Sequence, residues 1–384
     1  MTHFFQRIRS HRLLLVGLIV GAALLIYFRP SAQRPDQVIT LRAPKRTRVN
    51  SVSFSPDGKS LALSVRSFTT RNGAAPMGAR VQIHDAHTGY LRRTLTVTPN
   101  PTARFPSGGI QSATFGSQGA EIACETFPLM VRDAQSGKIK HVWKDASGGR
   151  AGLLASPDGR FWASTDANAV QLWNTSDGRR AQKLSGPTYE SKKKYLQTVA
   201  SAAFSPDGTA LVSGHNDGAV YLWDVSQAKL KFTLSAPGII GARGAGVARV
   251  AFAPKGSLIA ATDARTLWLW DARNGRLLRS WAAPDKVSIF GLGFSPDGKT
   301  LAGGGPNFTW RREIRCYDCP SSGPQEPDTV GEINFWDTSS GAWLSRQRGG
   351  HWIIHLAFSP DGKTIASSGD DNSALLWKAP QQSS

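Results

Sequence analysis

Apolar and polar residues alternate in many short stretches of the chain, for example at Val247-Ala-Arg-Val-Ala-Phe252 and Ile354-His-Leu-Ala-Phe358. A turn-forming pentapeptide related to Phe-Ser-Pro-Asp-Gly ends each stretch, and a second apolar stretch such as 299–304 follows it. A period of two is typical of β-strands, while Pro presets the backbone angle φ for a turn and Gly accepts a positive φ. The pattern therefore predicts a series of β-hairpins.

The pentapeptide is repeated along the chain at nearly regular intervals. Complete copies lie at residues 54–58, 204–208, 294–298 and 358–362, and degenerate copies lie at 115–119, 155–159 and 252–256. Successive copies start 40 to 64 residues apart. A repeat of this length indicates supersecondary units that stack on one another to bury their apolar faces. The copies predict seven such units.

Each unit continues with a third strand that ends in Trp-Asp or a related pair, as at Leu222-Trp-Asp224, Leu269-Trp-Asp271 and Phe335-Trp-Asp337. A short turn then leads into a fourth strand, such as Arg276–Trp281. Four antiparallel strands per unit predict an all-β fold. The units resemble those of the WD-repeat β-propeller family, and the resemblance covers residues 37–378.

This resemblance implies a seven-bladed WD-repeat β-propeller of the bacterial, membrane-anchored type. Propellers of the Tol-system and prolyl-oligopeptidase kind also carry Ser-Pro-Asp-Gly, but the Leu-Trp-Asp endings favour the WD type. The seventh unit stops after its third strand, Ala374–Trp377, and a spare strand-like segment, Val38–Leu41, precedes the first unit. We expect this segment to complete blade seven as its outer strand, which would remove two open sheet edges.

The family resemblance also implies a hydrogen-bond network inside a blade, made by a Gly-His pair, a Ser or Thr, an Asp and the Trp. Blade seven has all four members, which are His351, Ser367, Asp371 and Trp377. Blade four has Ser213, Asp217 and Trp223, with Gln197 where the His would stand. Blades one and two lack the Trp. We expect a structural role for these residues, because buried polar groups are paired.

The N-terminal part of the chain differs from the repeats. Residues 13–28 form an uncharged run of 16 residues, with a basic tail, 1–12, before it and a linker, 29–36, after it. A spanning helix prefers about 20 apolar residues, and the flanking Tyr27 and Arg29 can extend the run into the interface. We expect a retained transmembrane signal anchor. A signal peptide cleaved near residue 32 is the alternative.

The sequence also predicts the orientation of the chain in the membrane and the extent of its C-terminal tail. A short basic tail followed by an apolar run favours a single-pass protein whose propeller lies outside the cytoplasm. Counting only the nearby Lys and Arg residues would favour the reverse orientation, since Arg29, Arg34 and Arg42 are among those that follow the run. Residues 379–384 are expected to form a C-terminal tail.

The formal net charge is +19, and many of the basic residues lie in five long connections. These are residues 66–80, 98–109, 185–197, 235–246 and 304–331. In a WD propeller all five leave the same face, the top, where repeat proteins bind partners. The basic residues expected there are Arg66, Arg71, Arg80, Arg104, Lys192, Lys193, Lys194, Arg243, Arg311, Arg312 and Arg315. They predict docking of an acidic protein or peptide. Basic pairs on fourth strands, such as Arg92-Arg93, instead protect sheet edges.

Residues that carry chemistry are few. Cys316 and Cys319 lie in one insertion, where a local disulfide is expected outside the cytoplasm, while a zinc site would need a further Cys or His pair. Cys124 lies in a predicted strand. The sequence has no nucleophile–base motif, phosphate-binding Gly loop or carboxylate pair of defined spacing. We therefore expect no catalytic or metal-binding residues and no cofactor.

Three classes of function remain open. The favoured one is a membrane-anchored scaffold that binds a protein or peptide through its basic top face. A propeller enzyme of the lactonase or lyase type would need His, Glu or Asp at the channel mouth. Binding of nucleic acid or another polyanion would need aromatic residues among the basic loops. The membrane anchor argues against nucleic acid, and the missing motifs argue against a small-molecule substrate.

Overall fold

The computed structural model describes residues 37–45, 47–67, 79–97, 110–126, 128–143, 152–166, 169–187, 198–236, 246–284, 287–307, 330–350, 352–369 and 371–380. These residues form 28 strands in seven four-stranded antiparallel sheets, so the prediction of an all-β, seven-bladed propeller is confirmed. None of the described residues belongs to a helix that could cross a bilayer, and the apolar run 13–28 lies outside them.

The blades are numbered in chain order. Blade one contains β2 (Thr47–Phe54), β3 (Ser60–Ser67), β4 (Ala79–Asp85) and β5 (Leu91–Val97). Blade two contains β6 (Ala113–Phe115), β7 (Glu121–Cys124), β8 (Leu129–Asp133) and β9 (Ile139–Trp143). Blade three contains β10 (Leu154–Ala155), β11 (Phe161–Asp166), β12 (Ala169–Asn174) and β13 (Arg180–Ser185). Blade four contains β14 (Val199–Phe204), β15 (Ala210–His215), β16 (Val220–Asp224) and β17 (Lys229–Leu234).

The remaining blades follow the same order. Blade five contains β18 (Arg249–Phe252), β19 (Leu258–Thr262), β20 (Thr266–Asp271) and β21 (Leu277–Ala282). Blade six contains β22 (Gly291–Phe294), β23 (Thr300–Asn307), β24 (Val330–Asp337) and β25 (Trp343–Arg348). Blade seven contains β26 (Ile353–Phe358), β27 (Thr364–Gly369) and β28 (Ser373–Lys378), and β1 (Gln37–Arg42) is its outer strand.

The first strand of each blade contacts the first strand of the next blade, and β26 contacts β2, so the sheets form a closed ring around a channel. The segment Val38–Leu41 lies within β1, which pairs antiparallel with β28 from Gln37 opposite Trp377 to Arg42 opposite Ser373. Blade seven thus combines the first and the last strands of the described chain. This pairing covers the edge of β28, which would otherwise be open.

The core lies between the blades rather than within any one of them. Hydrophobic clusters join each pair of neighbouring blades, and the fully buried side chains include Trp162, Trp268, Trp270, Phe335 and Trp377. Both faces of each sheet are covered by a neighbour, which explains why the second and third strands are almost continuously buried. The outer strands are mostly exposed, as β5 illustrates.

The pentapeptide forms the turn between the first and second strands. In blade one, the Ser55 hydroxyl donates to Asp57 Oδ1 over 2.6 Å and accepts from the Ser60 amide over 2.9 Å. Gly58 has a φ of +70°, which explains the glycine. The hydrogen bond from Ser55 lowers the pKa of Asp57 below its ordinary value. The same Ser–Asp bond is made by Ser156, Ser205, Ser295 and Ser359.

Candidate functional site

The antiparallel strands give the propeller two faces, which we call the top and the bottom. The pentapeptide turns and the turns between third and fourth strands lie on the bottom face. On the top face lie the strand ends that bound the five long connections, for example Ser67 and Ala79 in blade one and Asn307 and Val330 in blade six. The inner residues of these connections lie outside the described part.

Two of the predicted basic residues of the top face, Arg66 and Arg80, are among the described residues. Arg66 lies directly opposite Arg48 in the pairing of β2 with β3, and Arg80 lies opposite the neighbouring residue Val65. Neither Arg66 nor Arg80 forms an ion pair with a described carboxylate. The other predicted residues, Arg71, Arg104, Lys192, Lys193, Lys194, Arg243, Arg311, Arg312 and Arg315, lie outside the described residues.

Further positive charge lies where the chain passes from blade seven into blade one. Arg42 at the end of β1 and Lys45 in the following connection are both exposed. The connection is fixed by Asn372, whose side chain donates to the Ala43 carbonyl over 2.9 Å. Arg42, Lys45, Arg48, Arg66 and Arg80, which we call the blade-one basic cluster, therefore occupy one sector of the top face.

The channel has a ring of equivalent positions on the innermost strands. They are occupied by Ser51, Ser201, Arg249, Gly291 and His355 in those strands, and by Ser112 and Gly152 just before β6 and β10. The serine hydroxyls join neighbouring blades, since they accept hydrogen bonds from the backbone amides of Ala113, Leu153 and Val250 over 3.1 to 3.2 Å. This ring was not predicted, because the alignment of residues from separate blades depends on the register of each sheet.

Blades five, six and seven meet at the part of this ring that contains Arg249 and His355. A Cβ atom on Gly291 would lie 2.9 Å from Cβ of Leu356, so blades six and seven approach closely here. Arg249 Nη2 of blade five reaches the Ile354 carbonyl of blade seven over 3.4 Å. Desolvation and, to a smaller extent, the charge of Arg249 together lower the pKa of His355 to about 4. The imidazole is therefore neutral at pH 7.

Glu125 is a buried carboxyl group between blades two and three, near the top face. Its side chain is 3% exposed, and Oε2 accepts a hydrogen bond from the Ser112 hydroxyl over 2.9 Å. Burial raises the pKa of Glu125 to about 8, although the bond from Ser112 acts in the opposite direction. Glu125 is thus largely protonated at neutral pH. Sequence analysis missed it, because burial of a single Glu leaves no motif.

A second buried carboxylate, Glu332, lies at the root of the insertion 308–329. It accepts hydrogen bonds from Arg348 Nε at 2.6 Å, Asn334 Nδ2 at 3.0 Å and Asn307 Nδ2 at 3.1 Å. Burial alone would raise the pKa of Glu332, but these three donors, Arg348 foremost, lower it below its ordinary value. The Glu332 carboxylate therefore links β23 and β24, the two strands that the insertion connects, to β25, the outer strand of the blade.

The predicted intrablade network is present in part. Trp377 Nε1 donates to the Ser367 hydroxyl over 2.8 Å, and Trp223 Nε1 donates to Ser213 over 2.9 Å. Asp371 and Asp217 accept the backbone amides of Ser373 and Ala219, so each closes its own turn. His351 and Gln197 lie outside the described residues.

Sequence analysis missed His215 in blade four and the Trp173–Ser164 pair in blade three. In blade four, His215 Nε2 lies 3.0 Å from the Ser213 hydroxyl, so a His from the second strand joins the pair although Gln197 replaces the usual one. In blade three, Trp173 Nε1 donates to Ser164 over 2.9 Å. In blade two, Cys124 occupies the Ser position and is fully buried, and desolvation raises the pKa of its thiol to about 12. Such a thiol is a poor nucleophile.

The described residues contain no group of three His, Cys, Asp or Glu side chains placed to hold a metal ion. Cys316 and Cys319 lie outside those residues, so their expected disulfide stays a prediction. The arrangement that the described residues do offer is a propeller with positive charge on one sector of its top face.

Comparison with known proteins agrees with this geometry. The family model "WD domain, G-beta repeat" matches residues 35–67, 188–224 and 344–378, which include strands of blades one, four and seven. These three segments of the chain are similar to WD repeats. Relatives include periodic tryptophan protein 2 of Arabidopsis thaliana, which is 24% identical over 58% of this chain and 21% of its own length. The chain thus spans about a fifth of that relative's length.

Two other relatives cover more of their own length. The human serine-threonine kinase receptor-associated protein is 21% identical over 67% of this chain and 74% of its own length. The nuclear distribution protein PAC1 of Arthroderma otae is 27% identical over 50% of this chain and 38% of its own length. These relatives are eukaryotic, and the similarity bears on the propeller rather than on the expected bacterial type or membrane anchor.

Proposed function

We propose that this WD-repeat chain is a membrane-anchored scaffold that binds an acidic protein or peptide through the top face of its propeller. The fold supports a binding role, because a ring of stacked repeats presents long connections on one face and buries its core between blades. The relatives support it too, since one of them is named for its association with a receptor. Residues 13–28 are the proposed anchor.

The observation that carries this proposal is the blade-one basic cluster. Arg48 and Arg66 lie directly opposite each other on β2 and β3, which brings two like charges together at the top end of blade one. Exposed Arg42 and Lys45 add to the same field. A positive field of this kind speeds the encounter with an acidic partner and weakens as salt is added.

A pull-down with the full chain, followed by identification of the captured proteins, tests the binding role. The variant Arg66→Ser/Arg80→Ser, extended by Lys192→Ser, Lys193→Ser and Lys194→Ser, is expected to lose most capture while its melting temperature stays unchanged. The matched control replaces the exposed basic residues Arg93, Arg179 and Arg180 of outer strands by Ser. Loss of capture in the control and not in the top-face variant would show that the propeller docks by its rim.

Membrane anchoring is tested independently of the partner. Full-length protein is expected to remain in the membrane pellet after alkaline carbonate extraction, whereas a variant without residues 13–28 is expected in the supernatant. Protease added to intact cells or spheroplasts is expected to cleave a propeller that lies outside the cytoplasm. Release of the full-length protein by carbonate would contradict the anchor.

A further inference from the structure

The bottom face exposes two pairs of large apolar side chains beside blade seven. Trp343 and Leu344 at the start of β25 in blade six are 52% and 42% exposed. Tyr90 and Leu91 at the start of β5 in blade one are 77% and 51% exposed. Both pairs follow a turn between third and fourth strands, so they lie on the outer rim of the bottom face. We call these four residues the apolar rim.

The apolar rim flanks the place where the chain enters the propeller. Gln37, the first residue of β1, lies opposite Trp377 at the bottom end of blade seven. Blade one touches β1, since a Cβ on Gly89 would lie 2.6 Å from Cγ2 of Ile39. Blade six touches blade seven, where Gln347 Nε2 donates to the Lys378 carbonyl over 2.8 Å. Blade seven thus has an apolar pair on either side.

The opposite side of the ring has a different rim. The outer strand of blade three begins with Arg180-Ala-Gln-Lys183, which has no large apolar residue. Blade four exposes Leu230, but only to 37% and between Lys229 and Lys231. Blade two also exposes Ile139 to 51% and Val142 to 41%, and blade five exposes Leu278 to 37%, so aliphatic side chains are exposed around much of the ring. Among the large apolar residues that the described part exposes, the two aromatic ones are Tyr90 and Trp343, and both flank blade seven.

The chemistry of the apolar rim matches the interface of a bilayer. Trp and Tyr concentrate at the headgroup level of membranes because their rings are apolar and their polar ends accept water. The polar atom of the Trp343 ring, Nε1, donates to Asn334 Oδ1 over 3.1 Å. The rest of the exposed indole ring is apolar. Exposed Arg93, Arg346 and Lys378 lie on the same three blades and can meet anionic headgroups.

The length of the chain before Gln37 permits this contact. Nine peptide steps separate Phe28, the end of the apolar run, from Gln37. Extended chain covers at most about 32 Å in nine steps, which is about the thickness of a bilayer's hydrocarbon core. A connection of this length therefore allows an anchored propeller to contact the membrane surface.

We infer that the apolar rim of blades six and one lies in the headgroup region of an anionic bilayer and fixes the orientation of the propeller on the membrane. The inference rests on the proposed anchor in residues 13–28. Because the rim belongs to the bottom face, this contact turns the top face and its blade-one basic cluster away from the membrane, where a partner can reach them.

Site-specific fluorescence on the full chain tests the orientation. The chain, with Cys316→Ser and Cys319→Ser, is placed in nanodiscs of phosphatidylcholine and phosphatidylglycerol that contain a headgroup spin-labelled lipid. A polarity-sensitive dye is attached at Leu91→Cys, Leu344→Cys or Leu230→Cys, while Cys124 is buried. Leu91 and Leu230 occupy the same register position, opposite His84 and Trp223, so position 230 is a matched control.

The dyes at positions 91 and 344 are expected to shift to the blue and to be quenched severalfold more than the dye at position 230. Equal quenching at all three positions, or none at any, in nanodiscs that have incorporated the chain would overturn the inference and leave the anchor intact. Failure of the chain to incorporate into nanodiscs would overturn both. Replacing Trp343 and Tyr90 by Ser is further expected to reduce quenching at positions 91 and 344.

Discussion

Pro360 of blade seven packs against Gly58 of blade one, so the last complete pentapeptide meets the first across the closure of the ring. A Cβ on Gly58 would lie 3.5 Å from Cδ of Pro360. The same contact between the Pro of one blade and the Gly of the next joins Pro56 to Gly119, Pro206 to Gly256, Pro254 to Gly298 and Pro296 to Gly362. The pentapeptide therefore shapes its own turn and also packs the turns together around the bottom of the channel.

This contact predicts a cost for a side chain at Gly58. Gly58→Ala forces a residue with a Cβ to keep a φ of +70° and tightens the packing on Pro360, so we expect a loss of about 1–3 kcal/mol in the free energy of unfolding. Gly293→Ala is the control, because Gly293 has no positive φ and an added Cβ would lie at an ordinary contact distance of 3.5 Å from Cδ2 of Leu356. Urea denaturation measures both. Equal losses would show that the turn geometry at Gly58 does not matter.

The two Ser–Trp pairs of blades three and four predict unequal costs for the same substitution. Ser213→Ala removes the acceptor of Trp223 Nε1 and the bond to His215, whereas Ser164→Ala removes only the acceptor of Trp173. A lost buried hydrogen bond costs about 1–3 kcal/mol, so we expect Ser213→Ala to be the more destabilising. Thermal melts of the two variants measure the difference. A larger effect at Ser164 would contradict the role of His215.

The sequence predicts the fold well because the fold is local and repeated. Period-two alternation, the pentapeptide and Trp-Asp each act within one hairpin, and seven copies make a chance match implausible. The spare strand 38–41 could also be anticipated, since a missing fourth strand in blade seven needs an outer strand from elsewhere. These features depend on spacing along the chain.

What sequence reasoning missed depends on contacts between distant residues. The sequence did not place His215 in the blade-four network, because this His lies on the second strand and not at the position of the usual His. Only the register of the sheet brings it to Ser213. Glu125 is buried by packing of blade two against blade three, and the channel ring requires the registers of seven sheets. The basic residues of the five long connections stay predictions, since most of them lie outside the described residues.

The raised pKa of Glu125 predicts a pH-dependent stability. Its pKa of about 8 in the folded protein exceeds the ordinary Glu value, so its stabilising contribution is complete below that ordinary value and is lost as pH rises through 8. Each unit of difference corresponds to about 1.4 kcal/mol. We expect the melting temperature of the wild type to fall more between pH 5 and pH 9 than that of Glu125→Gln, as calorimetry can show. Parallel pH profiles would contradict the burial of a protonated carboxyl group.

The Glu332–Arg348 pair predicts a strong effect of removing the cation. Arg348→Ala leaves the buried carboxylate of Glu332 with only the two amide donors Asn307 and Asn334. Losing one partner of a buried ion pair costs about 3–5 kcal/mol, and the half-exposed position of Arg348 places the expected loss at the lower end. The control is Arg346→Ala, an exposed residue of the same strand. Urea denaturation that gave equal losses would mean that Glu332 is not stabilised by Arg348.

The pairing of β1 with β28 predicts that blade seven is sensitive to its N-terminal strand. Leu41 is 3% exposed and packs into the cluster between blades seven and one, whereas its neighbour Arg42 is exposed. Leu41→Ala removes buried apolar surface and is expected to cost about 2–5 kcal/mol, while Arg42→Ala on the same strand is expected to change stability by less than about 0.5 kcal/mol. Deleting residues 36–43 should have the larger effect of exposing the edge of β28, with aggregation or loss of a cooperative melt. A Leu41→Ala variant that unfolds at the same urea concentration as Arg42→Ala would show that β1 does not close the ring.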